Sequence, residues 1–229
     1  MLWQWAINKT QVFILDLDGT LMPSAEIDNQ CFWQAVFECY DMHGTLPDLH
    51  GFKHVTDTGI LREWCIRKLG RSATSEETWQ IRQRFSQLLQ NASSRHPGYF
   101  SPIAGVEDWL QAVQDSPHVF AAIATGGWEH SARLKLSVSG LDRFELPLAS
   151  SDDADARTKI MQIAARQVRE LHAVEDAVIS CVGDGTWDLQ ASRLLNWTFI
   201  GIASGVQAER LRKAGAGYVQ TDFTRPETE

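Results

Sequence analysis

The chain has 229 residues, 44% of them hydrophobic, with 21 basic and 29 acidic residues giving a formal net charge of −8. That length accommodates one large domain or a core with a smaller insertion, and the apolar content excludes a disordered chain. The acidic balance argues against a binder of nucleic-acid backbones, which needs a clustered basic face, but leaves a small phosphorylated ligand open.

The opening MLWQWAINKTQ lacks the charged and apolar regions of a signal peptide, and no apolar run approaches the ~20 residues of a membrane helix. A cytoplasmic setting without membrane contact is therefore expected. Cys31, Cys39, Cys65 and Cys181 form no Cys-x-x-Cys pair and read as small buried thiols.

QVFILDLD predicts a buried strand over residues 12–16. Two carboxylates, Asp16 and Asp18, stand where that strand ends, followed by Gly19 and Thr20. The chain then reads as helical from residue 21 to 98. EIDNQCFWQAVFECYDM has a broad apolar side, and TDTGILREWCIRKLG follows it. TSEETWQIRQRFSQLLQNA opens on a Thr-x-x-Glu capping box at Thr74 and Glu77, ahead of an apolar stripe at Trp79, Ile81, Phe85, Leu88 and Leu89. GFKHVTDTGI, between the first two helices, reads as a solvated loop in which Thr56 or Asp57 caps the next helix.

Pro97, Gly98, Pro102 and Gly105 punctuate a connection, after which helices and strands alternate. The strands are HVFAAIAT, LPLAS, AVISCVGD and WTFIGIA; helices precede each of them, and AERLRKAG closes the series. Alternation with continuous apolar strands predicts an α/β fold, a parallel sheet covered by helices on both faces. The first strand belongs to that sheet, so the division is a core of residues 1–20 and 99–229 with an all-helical insertion over 21–98.

Ligands of open α/β sheets bind at the carboxyl ends of the strands. The residues there are Asp16 and Asp18, Thr125-Gly126-Gly127, Ser150 to Asp153, and Asp184 with Asp188. Clustered carboxylates call for a cation, and hard oxygen donors suit Mg²⁺. Asp16 and Asp184 are candidate ligands, with the Asp18 backbone carbonyl a third and Asp188 a ligand or a support for a bound water. A carboxylate on the metal can also attack phosphorus to give an aspartyl-phosphate, while Asp18 moves the proton. Thr125 and Gly126 offer a hydroxyl and N–H donors to the phosphate. Arg157 and Lys159 both open a helix, where a cation opposes the helix dipole, and either could meet the phosphoryl charge.

DLDGTL, AIATGG, ARTKI and VGDGTWD together resemble the haloacid dehalogenase-like hydrolase superfamily, most closely its phosphatase branch of phosphoglycolate phosphatase type. The resemblance runs from residue 12 to about 222. It implies a Rossmann-like core with a helical cap, Asp16 as nucleophile and Asp18 as acid/base. It places metal ligation on Asp16, Asp18, Asp184 and Asp188, and phosphate binding on Thr20, Thr125 and Gly126. The third motif lacks the common Lys-Pro pattern, so its cation is Arg157 or Lys159, with Arg157 favoured by the Ile three residues later. The implied activity is Mg²⁺-dependent hydrolysis of a small phosphorylated metabolite, by a monomer or homodimer. A sugar phosphomutase and a receiver-like phospho-Asp module are the rival readings, but a receiver needs no cap and no second Asp at +2.

Overall fold

The computed structural model describes residues 2–3 and 9–225. Its centre is a six-stranded parallel sheet of β1 (Gln11–Leu15), β2 (Val119–Ala124), β3 (Leu148–Ala149), β4 (Val178–Gly183), β5 (Thr198–Ile202) and β6 (Val219–Gln220), in the order β3-β2-β1-β4-β5-β6. β1 lies between β2 and β4 with Leu15 level with Ile123 on one side and Val182 on the other. The strand order reverses direction at β1, and such a switch point opens a crevice beyond the strand ends.

The continuous apolar run of β1 resolves into two faces, because successive side chains point to opposite sides of a strand. Phe13 and Leu15 pack into one apolar cluster, Val12 and Ile14 into the other. The second cluster is closed by α6 (Arg157–His172), α7 (Thr186–Leu194) and α8 (Gly205–Lys213). The first takes in α4 (Val106–Asp115) and α5 (Glu129–Ser139) and continues into the helices that follow β1.

Those helices are α1 (Ala25–Cys39), α2 (Asp57–Leu69) and α3 (Ser75–Arg95), the only α-helices between β1 and α4 among the described residues. The capping box of α3 is formed, with Thr74 Oγ1 accepting from Glu77 N–H and the Glu77 carboxylate accepting from Thr74 N–H. Its buried side is Ile81, Phe85, Leu89 and Ala92, while Trp79 is 57% exposed. The predicted stripe was too wide, since two residues turn a helix by about 200° and carry Trp79 to the far side from Ile81. Phe32 of α1 and Phe85 of α3 both pack on Trp128, at ring separations of 5.6 and 6.0 Å. One aromatic cluster thus joins these helices to the turn after β2. β6 was not foreseen, because two residues at a sheet edge carry no periodicity.

Candidate functional site

The backbone amide of Asp16 donates to Val182 O at 2.9 Å, extending the β1–β4 pairing one residue past the strand. The chain then doubles back: Thr20 N–H and Leu21 N–H donate to Leu17 O, and Gly19 N–H donates to Met22 O. Gly19 has φ +84°, and a Cβ there would fall 2.3 Å from Asp184 Oδ2. Glycine is required twice, by the backbone twist and by the carboxylate that occupies its side-chain space.

Asp184 follows β4, and Asp188 accepts from Gly185 N–H at 3.2 Å in the first turn of α7. Asp16, Asp184 and Asp188 each bring a carboxylate oxygen within 4.8 Å of the others. Burial first, then the charge of Asp188, pushes the Asp16 carboxyl up to about 7, against the pull of Arg157. Burial, Asp16 and Asp188 hold the Asp184 carboxyl well above its ordinary range. Burial raises Asp188 as well, opposed by Arg157. Three carboxylates that resist ionising together are stabilised by a cation among them. Their all-oxygen donor set fits a hard divalent ion.

Arg157, the first residue of α6, turns its guanidinium into this cluster. Nη1 lies 2.9 Å from Asp16 Oδ1, and Nε lies 3.3 Å from Asp188 Oδ1. Space for the guanidinium comes from Gly126, where a Cβ would stand 2.9 Å from Arg157 Nη2 and from Val55 O. Lys159 is not brought to the site. Its side chain is exposed, two residues and about 200° around α6 from Arg157.

Thr125 is buried, and its hydroxyl accepts from Gly127 N–H at 3.0 Å. Thr125 and Gly126 line the cleft with Asp16, Asp18 and Arg157. Thr20 does not line it: its side chain is fully buried in the turn, and the hydroxyl finds no partner among the described residues. Asp18 lines the cleft but stands apart from the three-carboxylate cluster. Its Oδ1 accepts from Ser24 Oγ and its Oδ2 from Lys135 Nζ, both at 2.5 Å.

The other wall belongs to α1 and α2, with Asp28, Phe32, Thr56, Asp57 and Ile60. Thr56 caps α2, its Oγ1 accepting from Gly59 N–H at 3.2 Å, yet Thr56 and Asp57 are buried against the core, not solvated. Asp57 donates its N–H to Gly126 O at 2.8 Å and accepts from Trp128 N–H at 2.9 Å. Burial and Asp28 push the Asp57 carboxyl well up. Burial and Asp18 push Asp28 up to about 6, against Lys135. The sequence reading missed Ser24, Asp28 and Lys135. Lys135 did carry a signal, because Ser131, Ala132 and Leu136 place it in the middle of the buried side of α5.

The model of a family described as haloacid dehalogenase-like hydrolase matches residues 13–202. A solved hydrolase from Pseudomonas syringae is similar at 22% identity and TM-score 0.70, over 94% of each chain. A predicted phosphoglycolate phosphatase from Haemophilus somnus is similar at 13% identity and TM-score 0.64, over 95% of this chain and 96% of that one. CbbY from Rhodobacter sphaeroides, solved with phosphate, is similar at 16% identity and TM-score 0.68, over 93% and 95%. At these identities the likeness is one of fold. No curated protein matches the chain.

Proposed function

The chain belongs to the haloacid dehalogenase-like hydrolase family, and from that premise we propose that it is a Mg²⁺-dependent phosphatase of small phosphate monoesters, working through an aspartyl-phosphate on Asp16. The observation that carries the reading is the position of the Asp16 carboxylate, which has oxygens of Asp184 and Asp188 within 4.8 Å and the Arg157 guanidinium at 2.9 Å. Asp16, Asp184 and Asp188 would hold the ion, which when bound offsets carboxylate charge and draws phosphoryl oxygens toward the nucleophile.

In the first half-reaction an Asp16 oxygen forms a bond to phosphorus as the ester P–O bond breaks. A proton on Asp18 passes to the departing alcohol oxygen. In the second, a water oxygen bonds to phosphorus, the Asp16–phosphorus bond breaks, and the water proton returns to Asp18. Arg157 faces the transferring phosphoryl charge, and the Thr125 hydroxyl with the Gly126 N–H binds its oxygens. Residues 21–98 serve as the cap, whose α1 and α2 wall excludes bulk water and contacts the alcohol.

A panel of phosphoglycolate, sugar phosphates and other phosphate monoesters tests this by inorganic phosphate release with Mg²⁺ present. Release that EDTA stops and added Mg²⁺ restores is the expected result. Sugar-phosphate isomerisation with almost no release would transfer the site to a mutase, and no reaction with any ester would overturn the reading.

A further inference from the structure

Lys135 is a lysine without exposed surface. Its Nζ lies 2.5 Å from Asp18 Oδ2 and 2.6 Å from Asp28 Oδ1. Burying an ammonium is costly even when it is paired, and an apolar residue of similar volume commonly serves stability as well or better. We propose that Lys135 is the positioning residue for the proton-transfer carboxylate of Asp18, a role that rests on the phosphatase reading of the same site.

Geometry carries the argument. The two oxygens of Asp18 have separate donors, Ser24 Oγ on Oδ1 and Lys135 Nζ on Oδ2, so the carboxylate plane is fixed from both sides. Among the described residues, Lys135 is the Lys or Arg paired with Asp18. Arg157 is committed to Asp16 and Asp188. Lys135 lies behind Asp18 and does not line the cleft, so it acts on substrate only through that carboxylate. Asp28 supplies a second partner from α1, keeping the ammonium paired whichever way Asp18 turns. The same contact ties the cleft wall of α1 to the core helix α5.

The test compares wild type with Lys135→Met, Asp28→Asn and the double variant, in the full chain with Mg²⁺. With an ester of an unactivated alcohol, Lys135→Met should lower kcat by about 10²-fold while KM stays within about threefold. With p-nitrophenyl phosphate, whose leaving group departs without a proton, its first turnover should keep the wild-type burst of nitrophenolate. The double variant removes the buried charge that Lys135→Met leaves unpaired, and it also serves if the single variant does not fold. It should be as slow as Lys135→Met. A double variant that regains wild-type kcat would reduce Lys135 to a balance for the charge of Asp28, and so would a burst lost in parallel with kcat. An active wild type with an equally active Lys135→Met variant overturns this role alone, whereas a wild type that releases no phosphate overturns both this role and the phosphatase reading.

Discussion

Arg157 and Asp16 stand 141 residues apart in sequence and meet with 2.9 Å between Nη1 and Oδ1. The pair places a permanent cation on the carboxylate proposed as nucleophile. Arg157→Ala should therefore lower kcat/KM by about 10²–10³-fold, the loss typical of removing a single charge-stabilising group. Lys159→Ala removes an exposed charge outside the cleft, and activity and Tm should stay near wild type. Steady-state kinetics of the two variants decide between them, and a larger loss from Lys159→Ala would reverse the assignment.

Asp16→Asn keeps the shape of the side chain and removes both its charge and its nucleophilicity. Phosphate release should fall by about 10³-fold or more. Quenched reactions with radiolabelled ester should show phosphate attached to the wild-type chain and none on the variant. Label retained on Asp16→Asn would move the nucleophile elsewhere.

The place of Asp16 and Asp18 at the end of β1 could be read from sequence because the apolar run stops there, with Gly19 beside them for the turn. The fold could be read for a similar reason, since period and punctuation are local properties. The periodicity of α5 could place Lys135 on its buried side, but not its pairing, because Asp28 and Asp18 lie 107 and 117 residues away and pairing at that range leaves no local pattern. Thr56 and Asp57 read as a solvated cap because capping is local, whereas their burial depends on the packing of α2 against the turn after β2. Thr20 and Lys159 lie outside the cleft lining for a matching reason, in that adjacency to a motif does not fix the direction of a side chain.

Burial and neighbouring charge lift Asp16 from 3.8 to about 7 in the metal-free fold. A carboxyl raised on folding adds stability that is fully present below its unfolded pKa and is lost as pH rises through the folded one. The metal-free chain should thus lose stability from this group between about pH 4 and pH 8, while cation binding favours the ionised form. The gain in Tm on replacing EDTA with Mg²⁺ should be larger at about pH 8 than at about pH 5. A gain independent of pH would show that the ion does not bind at these carboxylates.

Gly19 and Gly70 have similar left-handed backbones, with φ +84° and +70°, but different surroundings. Alanine at Gly70 meets nothing within 4 Å and should cost only the backbone strain of about 1–2 kcal/mol. Alanine at Gly19 adds a Cβ 2.3 Å from Asp184 Oδ2, so it should cost more and also displace a carboxylate of the proposed ion site. Urea unfolding measures the first effect, and calorimetric titration with Mg²⁺ measures the second. Equal Mg²⁺ affinity in the two variants would remove Asp184 from the ion site.

On the proposed phosphatase reading, the acidic cleft wall should disfavour an anionic alcohol. Asp16, Asp18, Asp28, Asp57 and Asp184 line the cleft, and Arg157 is the only Lys or Arg among the lining residues. Arg157 is engaged by Asp16 and Asp188, so a carboxylate on the alcohol would meet the Asp28 carboxylate and the buried Asp57 carboxyl with no free cation in the cleft lining. Like charges about 4 Å apart in a shielded cleft cost on the order of 1 kcal/mol or more. Phosphate esters of neutral, hydroxylated alcohols should therefore exceed 2-phosphoglycolate in kcat/KM by about tenfold or more. Asp28→Asn, by removing charge from the wall, should narrow that ratio. The comparison needs only phosphate-release kinetics on the two ester types, and a wild-type preference for phosphoglycolate would mean that the alcohol is held away from α1 and α2.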